Sequence, residues 1–371
     1  MRRILTLNKH AHLVLTLLLI SSTSALYFSD EQEKKTDARN ATLPSFEGIE
    51  LNKSGKTVNL DSMTTRQKAA LLIVSTSYES NVSDNRIVGG VHLSAAKSEE
   101  EFNERVASYR EGRLIEPLIT IDLEGCITPA DSFRSFRAFH HINTTDQAYR
   151  SGLRQGEFLS NIGVDINFSP VVDLEDSIWG CRSFPGNQSA VSDKACAYIE
   201  GLHEKEVMAT AKHYPGRTLT GKDPHHDMKN VNVTERDLAP FYATMNCSVD
   251  AVMPSHQIST GYVNTRNQPA DVSEVTRNRI REKGFDGLIV SDAIDMGGLT
   301  KYYNSSEQRY IDAFRANDVI LNVIGDVEDT VEIINTIDKA VENDRLDEKY
   351  IDQSLTRLLE AKGWEVESDR N

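Results

Sequence analysis

The sequence is short of basic residues: 41 Lys and Arg stand against 56 Asp and Glu, a formal charge of −15. Neutralising phosphates needs clustered Lys and Arg, so this balance argues against nucleic-acid binding and against attraction to anionic membranes. Proline and glycine are scarce too, at 10 and 21 of 371 residues, beside 39% apolar residues. That excludes collagen-like, disordered and coiled-coil chains and leaves a globular one. No internal repeat of the solenoid kind is visible, and no stretch approaches the roughly 20 apolar residues of a spanning helix.

The longest apolar run lies near the start, from Leu13 to Ile20, after Arg2, Arg3 and Lys9 and before the small residues Ser21 to Ala25. Basic, apolar and then small is the pattern of a signal peptide, so residues 1–25 are expected to be removed on export. Removal leaves 38 basic against 56 acidic residues, a charge of −18. No Cys follows the run to suggest a lipid anchor. Tyr27 to Asn59 are polar and aperiodic and read as a tail or irregular cap, with order expected from about Thr64. The expected organisation is a signal peptide (1–25), a polar extension (26–60), one domain (61–363) and a short tail (364–371).

Within that domain, short apolar runs alternate with helix-period segments. The runs are Ala69–Val74, Gly90–Leu93, Leu118–Ile121, Val164–Phe168, Val207–Ala211, Ala251–Met253, Gly287–Val290 and Val319–Val323. Between them lie Glu99–Tyr109, Asp146–Asn161, Ser273–Lys283 and Val327–Asn343. In the last of these, Val327, Val331, Ile334, Ile337 and Val341 recur at three and four residues. Eight strands alternating with helices predict an α/β fold, a parallel (β/α)₈ barrel of the TIM type, because each crossover helix covers the outside of a sheet that closes on itself.

A barrel places its chemistry just after the strands. Asp122 and Glu124 follow the third run, Arg182 lies in the loop after the fourth, and Lys212 and His213 end the fifth. Ser255 and His256 end the sixth, and Ser291 and Asp292 the seventh. One polar residue after a strand is commonly a helix cap; five loops with polar residues at the same point suggest a site.

Lys212-His213-Tyr214-Pro215-Gly216, followed by Asp223-Pro224-His225, resembles the Lys-His-Phe-Pro-Gly…Asp-Ser-His signature of β-N-acetylglucosaminidases in glycoside hydrolase family 3. Ile121 to Gly125, Gly163 to Asp173, Arg182 to Phe184, Ala251 to His256 and Gly284 to Gly298 are similar to the family's other stretches and follow in the same order. The resemblance runs from about Met63 to Lys362, leaving no length for the second α/β domain that many relatives carry, so a single catalytic domain is expected.

The resemblance implies a retaining exo-glycosidase that releases terminal β-linked N-acetylglucosamine through a covalent glycosyl ester on Asp292. It implies His225 as general acid and base with Asp223 bonded to its ring, a sensible pairing for a side chain that titrates near neutrality. It implies Asp122, Arg182, Lys212 and His213 as the grip on the sugar, although Arg182 also has Asp173 and Asp176 within local reach. No cofactor is implied, and His225 with His226 lacks further ligands at metal-binding spacing. The expected partner is a glycan containing N-acetylglucosamine, bound by a secreted or periplasmic monomer with no membrane span after signal cleavage. A β-glucosidase or β-xylosidase of the same family, and a sugar-binding protein with little turnover, are the alternatives.

Three departures bear on these expectations. Glu124-Gly125-Cys126-Ile127-Thr128 stands where the family usually has Glu-Gly-Gly-Arg-Val, Pro215-Gly216-Arg217-Thr218 where it has Pro-Gly-His-Gly, and Ser291-Asp292-Ala293 where it has Ser-Asp-Asp. The four cysteines allow three pairings, and placement on the barrel favours Cys126 with Cys181 in consecutive loops and Cys196 with Cys247 near consecutive outer helices. Eight Asn-x-Ser/Thr sequons, at Asn40, Asn52, Asn81, Asn143, Asn187, Asn232, Asn246 and Asn304, are more than chance supplies. They suit a eukaryotic secretory route, although a bacterial periplasmic protein can carry sequons that are never read.

Overall fold

A computed structural model describes residues 45–76, 87–126, 128–221 and 228–368. Residues 1–25, read above as a signal peptide, lie outside them. Eight strands form the core: β1 (Ile73–Thr76), β2 (Gly90–His92), β3 (Leu118–Ile121), β4 (Ile166–Asn167), β5 (Met208–Tyr214), β6 (Ala251–Pro254), β7 (Leu288–Ile289) and β8 (Ile320–Asn322). They pair in parallel and in chain order from β1 to β7, with β8 on the other side of β1. A parallel bridge between Val290 and Val319, just beyond β7 and just before β8, closes the ring. The expected (β/α)₈ barrel is the observed one.

Strands of a closed barrel are covered on both sides, by the barrel interior and by the helices, so they read as continuous apolar runs. In β3, β6, β7 and β8 every residue is buried. The run Ala69–Val74 divides differently from the sequence reading: Ala69 to Leu71 finish helix α1 (Thr65–Leu71), and only Ile73 onward is strand. Thr64 and Gln67 close a capping box that starts the helix, and an unbroken buried run cannot by itself separate a last helical turn from a strand.

Around the barrel stand α2 (Glu99–Arg110), α3 (Thr145–Asn161), α4 (Gln188–His203), α5 (Glu235–Asn246), α6 (Glu274–Glu282), α7 (Ser306–Ala316), α8 (Val327–Glu342) and α9 (Glu348–Ala361). Ser98 caps α2 and three glutamates fill its first turn, where the helix dipole favours negative charge. Helix α8 buries Val331, Ile334 and Ile337 of the predicted stripe. Helices α3 and α4 approach so closely that a Cβ on Gly152 would lie 2.2 Å from the Tyr198 carbonyl oxygen, and one on Gly201 2.3 Å from that of Tyr149. Only glycine permits that contact.

The segments read as extension and tail meet in a small sheet. Leu51–Asn52 pair antiparallel with Thr57–Asn59, which pair in parallel with Glu365–Glu367. Order therefore begins before Thr64, because Val58 and Leu60 are buried and anchor an otherwise polar stretch. Both expected disulfides are present, Cys126–Cys181 and Cys196–Cys247, with Cα atoms 6.1 and 5.9 Å apart. The six sequon asparagines among the described residues are all exposed; Asn40 and Asn81 lie outside them. Among the described residues, no helix is long and apolar enough to cross a membrane.

Candidate active site

The site is built on the carboxyl ends of the strands, beginning with β5. A register shift between Lys212 and Tyr214 bulges this strand against β6. A regular strand sends consecutive side chains to opposite faces; the bulge lets Lys212 and His213 both reach the same cleft. His213 has φ +134, a conformation L-residues avoid, at a cost on the order of 1–3 kcal/mol.

Lys212 is buried, and its ammonium is held between two carboxylates from the loop after β3. It donates to Asp122 and lies 2.6 Å from Glu124 Oε1. Glu124, buried itself, also receives Arg182 in a forked pair through Nε and Nη2, the latter at 2.7 Å. Burial works to raise the Glu124 pKa, but the Lys212 and Arg182 charges outweigh it and hold the carboxyl down at about 2. Asp122 is half-exposed at the cleft, with His92 Nε2 3.9 Å from its Oδ2. A carboxylate and cations pinned side by side at a cleft wall can bond the hydroxyls of a sugar ring and fix its orientation.

Arg182 is aimed by its own loop. Asp176 accepts backbone N–H bonds from Trp179, Cys181 and Arg182 at 2.8 to 2.9 Å, and the guanidinium lies over the Trp179 ring. The Arg182 side chain therefore pairs with Glu124, while Asp176 holds its backbone. Asp173 is buried, bonds the Thr218 N–H at 2.7 Å and faces His213 Nδ1 at 3.1 Å. Burial pushes its pKa up to about 7.

Across the cleft, Asp292 follows β7, partly open to solvent. Its Oδ1 accepts the Ala293 N–H at 2.8 Å, and its Oδ2 is 3.9 Å from His256 Nε2. Asp122, Arg182, Lys212, His213 and Asp292 line a single cleft, with Met253 and Met296 in its walls. Asp223 and His225 lie outside the described residues, but both ends of their loop are tied together: Lys229 donates to the carbonyls of Arg217, Thr218 and Thr220.

The closed ring, the aspartate after β7 and the Lys-His bulge on β5 together fit one family. Residues 64–361 match the glycosyl hydrolase family 3 N terminal domain. The chain belongs to glycosyl hydrolase family 3. A β-hexosaminidase of Haemophilus influenzae is 30% identical over 67% of this chain and 74% of that protein. One from Idiomarina loihiensis is 29% identical over 64% of this chain and 76% of that protein. The solved structure of a family 3 β-N-acetylglucosaminidase from a Paenibacillus species superposes with a TM-score of 0.74 at 26% identity, covering 81% of this chain and 62% of that one.

On this family 3 frame the departures acquire positions. Cys126 is bonded to Cys181, the residue before Arg182, so the loops after β3 and β4 are joined beside the Glu124–Arg182 pair. Arg217 has φ +64 and points toward Asp237 at 4.0 Å. Ala293 lines the cleft and gives its N–H to Asp292. The strand-end rule reached Glu124 and His256 without a role for either, and it passed over Asp173, Asp176 and Asp271. The partners of Asp173 and Asp271 lie 15 to 45 residues away, and no local spacing marks those pairings.

Proposed function

We propose that this family 3 chain is a retaining exo-hydrolase of terminal β-linked N-acetylglucosamine. Asp292 attacks the anomeric carbon as the glycosidic bond breaks and forms a glycosyl ester. The leaving oxygen takes a proton from His225, whose ring Asp223 orients. Water then gives a proton to His225 as its oxygen bonds the anomeric carbon and the ester bond to Asp292 breaks, and two displacements restore the original configuration. Lys212, Asp122, Arg182 and His213 bind the ring hydroxyls. The carrying observation is the cleft itself: an accessible carboxylate after β7 lines the same cleft as a cation held between two carboxylates from the loop after β3. The β-hexosaminidase relatives support the acetamido sugar as substrate.

The chain is further proposed as a secreted or periplasmic monomer, with residues 1–25 as its signal peptide and 61–363 as its catalytic domain. Two disulfides suit an oxidising compartment. The deciding assay incubates the purified mature protein with aryl β-N-acetylglucosaminide and, separately, with aryl β-glucoside. Aryl release from the acetamido sugar alone is expected. Release from neither, with the sugar still bound, would instead make the chain a sugar-binding relative.

A further inference from the structure

Asp292 does not stand alone in the wall of the cleft. His256, at the end of β6, is 1% exposed and lies between two carboxylates: Nδ1 is 2.8 Å from Asp271 Oδ2, and Nε2 is 3.9 Å from Asp292 Oδ2. Asp271 is wholly buried in the helical turn Ala270–Val272. That turn is fastened on either side of His256, since Asp271 N–H donates to the Ser255 carbonyl and Ala270 N–H to that of Gln257. The imidazole is thus held between the loops after β6 and β7, and among the described residues these two aspartates are the charged groups that face it.

We infer that His256, braced by Asp271, is a positioning residue that keeps the Asp292 carboxylate ionised and turned toward the cleft. The inference rests on the reading of Asp292 as nucleophile. A carboxylate that attacks must be deprotonated, and one near a buried wall is driven toward its neutral form unless a cation stands beside it. An imidazolium supplies that cation on one oxygen while the Ala293 N–H binds the other. Burial opposes charging His256, but Asp271 and Asp292 outweigh it and push its pKa up to about 9. Burial also raises Asp271, while the His256 charge beside it works to lower it.

The test is the pH profile of kcat/KM for His256→Gln on an aryl β-N-acetylglucosaminide whose activated leaving group needs no acid. The acid limb then reports the free nucleophile. It is expected to move up by about one pH unit, a tenfold loss below the limb, with KM on the alkaline plateau unchanged. An unmoved limb in a folded variant overturns the inference. Should His256→Gln not fold, the double variant His256→Gln/Asp271→Asn leaves no lone buried charge and carries the same test. Asp292→Asn separates the two readings: turnover surviving in that variant refutes the nucleophile assignment, whereas its loss beside an unmoved limb refutes only the role of His256.

Discussion

Glu124 joins the two cations proposed to grip the sugar. It is the shared partner of Lys212 and Arg182, so Glu124→Gln leaves a buried ammonium and a partly buried guanidinium short of a counter-charge. Removing one member of a buried ionic group typically costs about 3–5 kcal/mol. Chemical denaturation should show a loss of that order, and KM should rise because the clamp is no longer pinned. Asp292→Asn is expected to remove turnover on every substrate, measured as aryl release. His225→Ala should act selectively, slowing poor leaving groups by about 10² to 10⁴-fold while sparing activated aryl ones. Equal losses on both kinds of leaving group would count against His225 as the proton donor.

The elements carry two disulfides with different work. Cys126–Cys181 joins the loops that bear Glu124 and Arg182, whereas Cys196–Cys247 ties α4 to the end of α5, on the outside of the barrel. Replacing Cys126 and Cys181 with alanine should therefore raise KM for the sugar, because the two halves of the clamp lose their link. Replacing Cys196 and Cys247 should leave kcat and KM in place and lower stability. For loops of 51 residues, chain entropy puts that loss at about 4 kcal/mol. A KM change from the outer pair, or none from the inner one, would contradict this division.

For the molecule as a whole, three buried groups set opposing pH dependences. Glu124, held at about 2 against an ordinary 4.5, contributes stability that is present above pH 4.5 and lost as pH falls toward 2. His256, raised to about 9 from 6.5, contributes stability that is present below pH 6.5 and lost as pH rises toward 9. Asp173, raised to about 7 from 3.8, favours its protonated form in the fold, so its contribution also declines as pH rises through that interval. The melting temperature should therefore peak on the acid side of neutrality. Glu124→Gln should flatten the acid slope, and His256→Gln the alkaline one. The barrel was legible in the sequence because strands covered on both faces must be apolar throughout, and eight such runs alternate with amphipathic helices. The positions of Lys212, His213 and Asp292 were legible because strand ends put them on one rim. Tertiary structure alone decided that Arg182 pairs with Glu124 rather than Asp173 or Asp176, that His256 stands between Asp271 and Asp292, and that the polar terminal segments close into a sheet. Those choices depend on distances between loops far apart in the chain, which periodicity and spacing do not encode.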